Sequence, residues 1–79
     1  MSRAVKITIR EKQVLKLIAE EHSVSEIAQI LQVSPHTVIS HRNNLKKKFM
    51  VRNGAGLVRE GFLRGILQIH QNWKITSLI

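Results

Sequence analysis

The chain has 79 residues and a formal net charge of +8, and it contains no cysteine. This length predicts one small domain, and the lack of cysteine excludes both a disulfide framework and a zinc site built on cysteine. No run of about 18 apolar residues is present, so we expect no membrane-spanning helix. No secretory signal is visible either, and we expect a cytoplasmic location and no membrane partner.

The positive charge is concentrated in the second part of the chain. Residues 32–79 hold eight basic side chains and one acidic side chain, whereas residues 1–31 hold five basic and four acidic ones. A one-sided excess of this kind is typical of proteins that bind a polyanion. Nucleic acid is favoured as this polyanion over an acidic membrane surface.

The first predicted helix begins at a capping box. The Thr8 hydroxyl is placed to accept from the Glu11 amide, while the Glu11 carboxylate reaches back to the Thr8 amide. Apolar residues then recur at helical spacing and predict a buried stripe. This stripe consists of Val14, Leu15, Ile18 and Ala19. Residues 1–6 are predicted to form a flexible N-terminal arm.

Two short helices joined by a tight turn are predicted between Ser23 and Lys48. Ser23 and Glu26 form a second capping box at the start of the first of them. The apolar positions of that helix are Ile27, Ile30 and Leu31. Ser34 is a third N-cap, and Pro35 suits the first position of the next helix, where no amide hydrogen is needed.

The second helix of this pair has two different faces. Val38, Leu45 and Phe49 form a narrow apolar seam, which predicts the side that packs on the domain. The opposite face carries His36, Ile39, Ser40, Asn43, Lys46 and Lys47. A hydrogen-bonding face with basic flanks, held by one apolar stripe, is what major-groove recognition requires. The run of residues 46–48 is predicted to meet phosphate through at least one lysine.

A fourth helix is predicted from about residue 55 to residue 64, after the turn signal at Asn53 and Gly54. Its inward positions are predicted to be Leu57, Val58, Gly61 and Phe62, with Gly65 as the residue that ends it. The remaining residues cannot be assigned to an element by pattern. Three roles stay open for the apolar residues among them: completing the core, forming a dimer interface, or staying exposed. These residues are Ile66, Ile69, Trp73, Ile75 and Leu78.

Several sequence segments, in the same order along the chain, match the pattern of a known protein family. They are Thr8-Ile-Arg-Glu11, Val14-Leu-x-Leu-Ile-Ala19, Ser23-x-x-Glu-Ile-Ala-x-x-Leu31, Val33-Ser-Pro-x-Thr-Val-x-x-His-Arg42, Lys48-Phe-x-Val51 and Leu57-Val58. Together they resemble the LuxR/GerE-type helix-turn-helix domain of bacterial transcription regulators, over residues 7–67. The resemblance implies an all-α, four-helix bundle with a central helix-turn-helix, followed here by a C-terminal extension over residues 68–79.

The resemblance also implies roles for individual residues. Base contacts are expected from Ile39, Ser40 and Asn43 of the helix in the major groove. Phosphate contacts are expected from Thr37, His41, Lys46 and Lys47, although His41 also suits a half-buried position against the first helix. The fourth helix often serves as a dimer interface in this family, which points to Val58 and Phe62. We predict a homodimer, because one such helix covers too few base pairs for useful specificity.

Three positions depart from the family pattern. Family members usually have glycine where this chain has Glu21, Gln32 and Met50. At each position we expect either a turn of a different type or a loss of about 1 kcal/mol in folding stability.

The predicted function is sequence-specific binding of double-stranded DNA that regulates transcription. Two alternatives stay open: a polymerase-associated region, and a protein-interaction module that docks RNA polymerase or another regulator through the apolar C-terminal tail. No enzymatic activity and no cofactor are expected, because no nucleophile has a base at the required spacing. His36 and His41 are five residues apart, which does not align two metal ligands on one helix face.

Overall fold

Four helices followed by a short pair of strands make up the domain. The computed structural model describes residues 5–69 and 75–77, the last three by their backbone alone. The elements are α1 (Ile9–Ala19), α2 (Val24–Leu31), α3 (Pro35–Phe49), α4 (Gly54–Leu63), β1 (Leu67–Ile69) and β2 (Ile75–Ser77). The four helices confirm the predicted all-α helix-turn-helix fold. The two strands pair in antiparallel fashion, with Leu67 opposite Ser77, and so give the C-terminal extension a structure that its sequence did not indicate.

The helices begin where side chains satisfy the free amides of the first turn. The Thr8 hydroxyl accepts from the Glu11 amide at 3.0 Å, and the Thr8 amide donates to Glu11 Oε1 at 2.8 Å. Ser23 and Glu26 form the same reciprocal pair at 3.1 and 2.8 Å. Both predicted capping boxes are therefore confirmed.

The third and fourth helices use simpler caps. Ser34 Oγ accepts from the Thr37 amide at 3.2 Å, and Pro35 occupies the first helical position, as predicted. Asn53 Oδ1 accepts from the Gly56 amide at 3.0 Å. The fourth helix consequently begins at Gly54, slightly earlier than predicted, because Asn53 acts as its cap and not only as a turn residue.

Every helix ends in a turn that contains a residue with a positive φ angle. In each case an amide beyond the helix donates to a carbonyl five residues earlier: His22 to Leu17, Val33 to Ala28, Val51 to Lys46 and Ile66 to Gly61. Gly65 has φ of 72° and ends α4 as predicted. Glu21, Gln32 and Met50 have φ of 69°, 57° and 57°. The glycine-type turns are thus kept without glycine, and the cost in stability stays a prediction.

One core joins all four helices and the first strand. Its buried side chains are Val14, Leu15, Ile27, Ala28, Val38, Leu45, Phe49, Leu57 and Leu67. The seam predicted for α3 is confirmed, and Ile18 and Ala19 of the predicted α1 stripe pack against the core while half-buried. Ile30 shares the apolar spacing of α2 but is 51% exposed. The buried face of α2 is centred on Ile27 and Ala28, and Ile30 lies about a third of a turn away from it.

Gly61 allows close contact between α4, α1 and β1. A Cβ atom at this position would lie 2.7 Å from Leu67 Cδ1 and 3.3 Å from Leu15 Cδ2. Gly61 is buried, as predicted, and Val58 and Phe62 are half-buried.

The apolar residues after α4 contribute unequally to the core. Ile66 packs against it and Ile69 is half-exposed. The side chains of Trp73, Ile75 and Leu78 lie outside the described residues. In the described part of the chain, no helix combines the length and the apolar character that crossing a membrane requires.

Candidate nucleic-acid interface

The outer face of α3 gathers the residues predicted to read DNA bases. Ser40 and Asn43 are exposed, and Ile39 is half-buried beside them. Residues three or four positions apart lie on one side of a helix, so these three side chains form a continuous surface. The seam on the opposite side is fully buried, which fixes the rotation of α3 and directs this surface outward.

Two of the predicted phosphate contacts adjoin this surface. A shallow groove of about 320 Å³ is lined by Asn43, Lys46, Lys47 and Val51. The structure therefore places one predicted base contact next to two predicted phosphate contacts. Lys47 is exposed and Lys46 is half-buried.

Thr37 and His41, the other two predicted phosphate contacts, do not line this groove. Thr37 Oγ1 lies 3.0 Å from Ser34 Oγ within the N-cap, and either hydroxyl can be the donor. A hydroxyl has one donor and two acceptor positions, so this contact leaves Thr37 capacity for another partner. His41 is half-buried, an environment compatible with both of the roles considered for it.

Lys48 differs from the other two lysines of its run. Its Nζ lies 2.7 Å from Glu11 Oε1, and the Glu11 side chain is only 4% exposed. This ion pair joins the end of α3 to the start of α1, so Lys48 is held within the fold. The two residues are 37 positions apart, and no local pattern links them.

The ion pair also sets the charge state of Glu11. Burial raises the pKa of this carboxyl, but the hydrogen bonds from Lys48 and from Thr8 oppose that effect and outweigh it, so that its pKa is lowered. Glu11 is therefore ionised at neutral pH although it is buried.

The remaining basic side chains of this region stay free to bind an anion. Among residues 5–69, no carboxylate lies within 4.0 Å of Arg42, Lys46, Lys47 or Arg52. Neither Arg42 nor Arg52 was among the predicted DNA contacts: Arg42 belongs to one of the family segments, and the signal for Arg52 in the sequence is the charge excess of residues 32–79. The described residues also contain no group of three His, Cys, Asp or Glu side chains that could hold a metal ion.

These features define a class of protein. Two short helices joined by a tight turn, the second presenting a polar and basic outer face, form a helix-turn-helix domain of the DNA-binding type. A sequence profile described as "Bacterial regulatory proteins, luxR family" matches residues 5–60. The chain therefore belongs to the luxR family of bacterial regulatory proteins, and the predicted resemblance is confirmed. This family is one of regulatory proteins and not a family of enzymes.

Individual relatives agree with this assignment. The chain is 40% identical over 63 residues to the uncharacterized response regulatory protein YgeK of Escherichia coli strain K12; the match covers 80% of this chain and 43% of YgeK. The chain thus spans less than half the length of that relative.

Two solved structures share the fold. The transcription factor GerE superimposes with a TM-score of 0.73 at 27% identity, over 80% of this chain and 92% of GerE. The Vibrio cholerae VqmA dimer, described among LuxR-type receptors that bind DNA, superimposes with a TM-score of 0.74 at 29% identity. That match covers 78% of this chain and 28% of VqmA.

Proposed function

We propose that this chain binds double-stranded DNA sequence-specifically and thereby regulates transcription, with α3 in the major groove. The observation that carries the proposal is the outer face of α3, where exposed Ser40 and Asn43 adjoin Lys46 and Lys47. Helix-turn-helix proteins recognise bases with the second helix of the pair, which makes α3 the proposed recognition helix.

The side chains divide into those that select sequence and those that supply affinity. Asn43 suits a bidentate contact with adenine, Ser40 offers a hydroxyl, and Ile39 suits the methyl group of thymine. The phosphate contacts are assigned to Thr37, His41, Lys46 and Lys47. Phosphate contacts release counterions and add affinity that is independent of sequence.

The proposal includes a homodimer on two half-sites. A single recognition helix contacts few base pairs, and the related VqmA is a dimer. Val58 and Phe62 of α4 are half-buried, so part of each side chain is accessible to a second copy. Phe62 also packs against the core, so we expect Val58 to be the better position for a test. Sedimentation of the wild type and of Val58→Asp on DNA tests this: a wild type that stays monomeric on DNA would contradict the dimer.

The main experiment selects the preferred duplex from a randomised pool and then titrates it with Asn43→Ala. We expect a paired, inverted motif, with binding weakened by about 1–3 kcal/mol only on duplexes that carry the correct base. Gln13→Ala is the control, because Gln13 is an exposed amide side chain on α1 and lies outside the proposed reading surface of α3. Binding without any enriched motif, and equal effects of the two substitutions, would show that the recognition helix does not read bases.

A second candidate is a module that docks RNA polymerase or another regulator near the C-terminal extension. It is favoured by Leu63 and Ile69, whose side chains are 73% and 51% exposed. Under this alternative, Leu63→Gln leaves the DNA affinity unchanged and removes co-sedimentation with polymerase. Co-sedimentation that is indifferent to Leu63→Gln argues against it.

A further inference from the structure

A second basic site lies beside the recognition helix. A cleft of about 330 Å³ opens where the end of α1, the start of α2, the middle of α3 and the start of α4 meet. Arg42, Lys46 and Arg52 line it. The first two lie one helical turn apart on α3, and Arg52 comes from the connection to α4.

Among the described residues, no acidic side chain lines the cleft to balance these three cations. His22 adds a titratable group to its wall, and His22 Nδ1 lies 3.9 Å from Glu26 Oε1. That Glu26 oxygen already accepts from the Ser23 amide at 2.8 Å in the capping box. The cleft therefore combines a concave shape with uncompensated positive charge.

Arg42 gives an independent sign of a missing acceptor. Its Nε atom is buried and has no hydrogen-bond partner among the residues that the structure describes. A buried N–H of a charged group is normally paired, because leaving it unpaired forfeits the hydrogen bond that water would otherwise provide. An oxyanion in the cleft would supply that acceptor.

Two helix starts contribute to the same cleft. Val24 and Gly54 are the first residues of α2 and α4, and both line it. Their caps, Ser23 and Asn53, accept from amides three residues further on, so within the described residues the Val24 and Gly54 amides have no acceptor. Free amides at a helix start favour anions.

We propose that this cleft binds one phosphate group, held by Arg42, Lys46 and Arg52 with the amides that begin α2 and α4. The source of the phosphate rests on the proposed function: the backbone of the duplex that the recognition helix reads. Lys46 lines both the cleft and the groove that contains Asn43, so a phosphate in the cleft lies beside the base-reading surface. A free phosphate-bearing molecule has the same chemistry and is the other possible source.

The first test uses inorganic phosphate and the full chain. Amide shifts are followed by NMR during a phosphate titration, against sodium chloride at equal ionic strength. We expect saturable shifts at Val24 and Gly54, and phosphate binding weakened about tenfold in Arg52→Ala. Arg10→Ala is the matched control, since Arg10 is an exposed arginine that does not line the cleft. Arg52 is exposed, so its removal leaves folding intact, unlike the removal of half-buried Arg42.

The second test identifies the source. Single phosphates of the selected duplex are replaced, one at a time, by uncharged methylphosphonates. We expect one position to weaken binding of the wild type about tenfold and to leave Arg52→Ala unaffected. Saturable binding of inorganic phosphate without such a position would support the site and assign it to a free phosphate compound.

The proposal fails if phosphate shifts match those in sodium chloride and if no methylphosphonate position depends on Arg52. Duplex selectivity that survives this result would leave the proposed function intact. Conversely, saturable phosphate binding by a chain that selects no duplex would support the phosphate site and contradict the proposed function.

Discussion

Glu11 Oε1 accepts from two donors at once, the Thr8 amide at 2.8 Å and Lys48 Nζ at 2.7 Å. One carboxylate oxygen thus caps the first helix and anchors the end of the recognition helix to it. The orientation of α3 is therefore linked to the first turn of α1 through a buried charge.

Breaking this pair should destabilise the fold. Lys48→Met leaves Glu11 buried without its charged partner, and we expect a loss of about 1–2 kcal/mol in the free energy of unfolding. This is less than for a fully buried pair, because the Lys48 side chain is 35% exposed. Urea denaturation measures the change. Lys47→Met is the control, and a similar loss there would show that the effect is not due to Glu11.

The same pair predicts a dependence of stability on pH. Because the pKa of Glu11 in the folded chain is below its ordinary value of 4.5, its contribution is fully present above that value and is lost as the pH falls through the lowered pKa. We expect the difference in unfolding free energy between the wild type and Glu11→Gln to shrink below pH 4.5. Glu26 also has a lowered pKa, through its hydrogen bonds with Ser23, and remains in both proteins. A difference that is constant from pH 7 to pH 3 would contradict the assignment to Glu11.

Glycine at a left-handed position should stabilise the chain. Met50 has φ of 57° and a side chain that is 91% exposed, so Met50→Gly relieves strain and removes little packing. We expect a gain of up to about 1 kcal/mol, measured by thermal unfolding. Gln13→Gly, at an exposed helical position of α1, should cost about 1 kcal/mol instead. Equal signs for the two substitutions would rule out relief of backbone strain.

Adding one methyl group at Gly61 should have the opposite effect. The new Cβ atom would meet Leu67 Cδ1 at 2.7 Å, so Gly61→Ala overpacks the core and should cost about 1–3 kcal/mol. Gly54→Ala is a matched control, since its Cβ atom would meet Ile18 Cγ2 at 3.8 Å, an ordinary contact. Urea denaturation of both variants decides the matter. If Gly61→Ala is as stable as Gly54→Ala, the β1 contact is not formed as described.

The lysine next to the reading surface should affect DNA binding without affecting specificity. Lys47 is exposed and has no carboxylate within 4.0 Å among the described residues. Lys47→Ala should weaken binding to all duplexes alike and reduce the slope of log K against log salt by about 1. Lys12→Ala, on α1, is the control. An unchanged slope in Lys47→Ala would show that Lys47 does not contact a phosphate.

Sequence alone was sufficient for the features that depend on near neighbours. Three helix starts, the buried seam of α3 and the helix-turn-helix follow from hydrogen bonds and spacings within a few residues, which a sequence displays directly. The proposed division into residues 1–6, 7–67 and 68–79 stays a prediction. The family profile begins at residue 5, and Val5 already packs against the core.

Tertiary structure decided the features that depend on how the helices pack. The Glu11–Lys48 pair, the contact of Gly61 with Leu67 and the cleft at Arg42 and Arg52 each join residues that are distant in the chain or lie on different elements. The strand pair and the exposure of Ile30 belong to the same group. Local propensity does not encode these contacts, because each of them arises only when whole helices fix their orientation against one shared core.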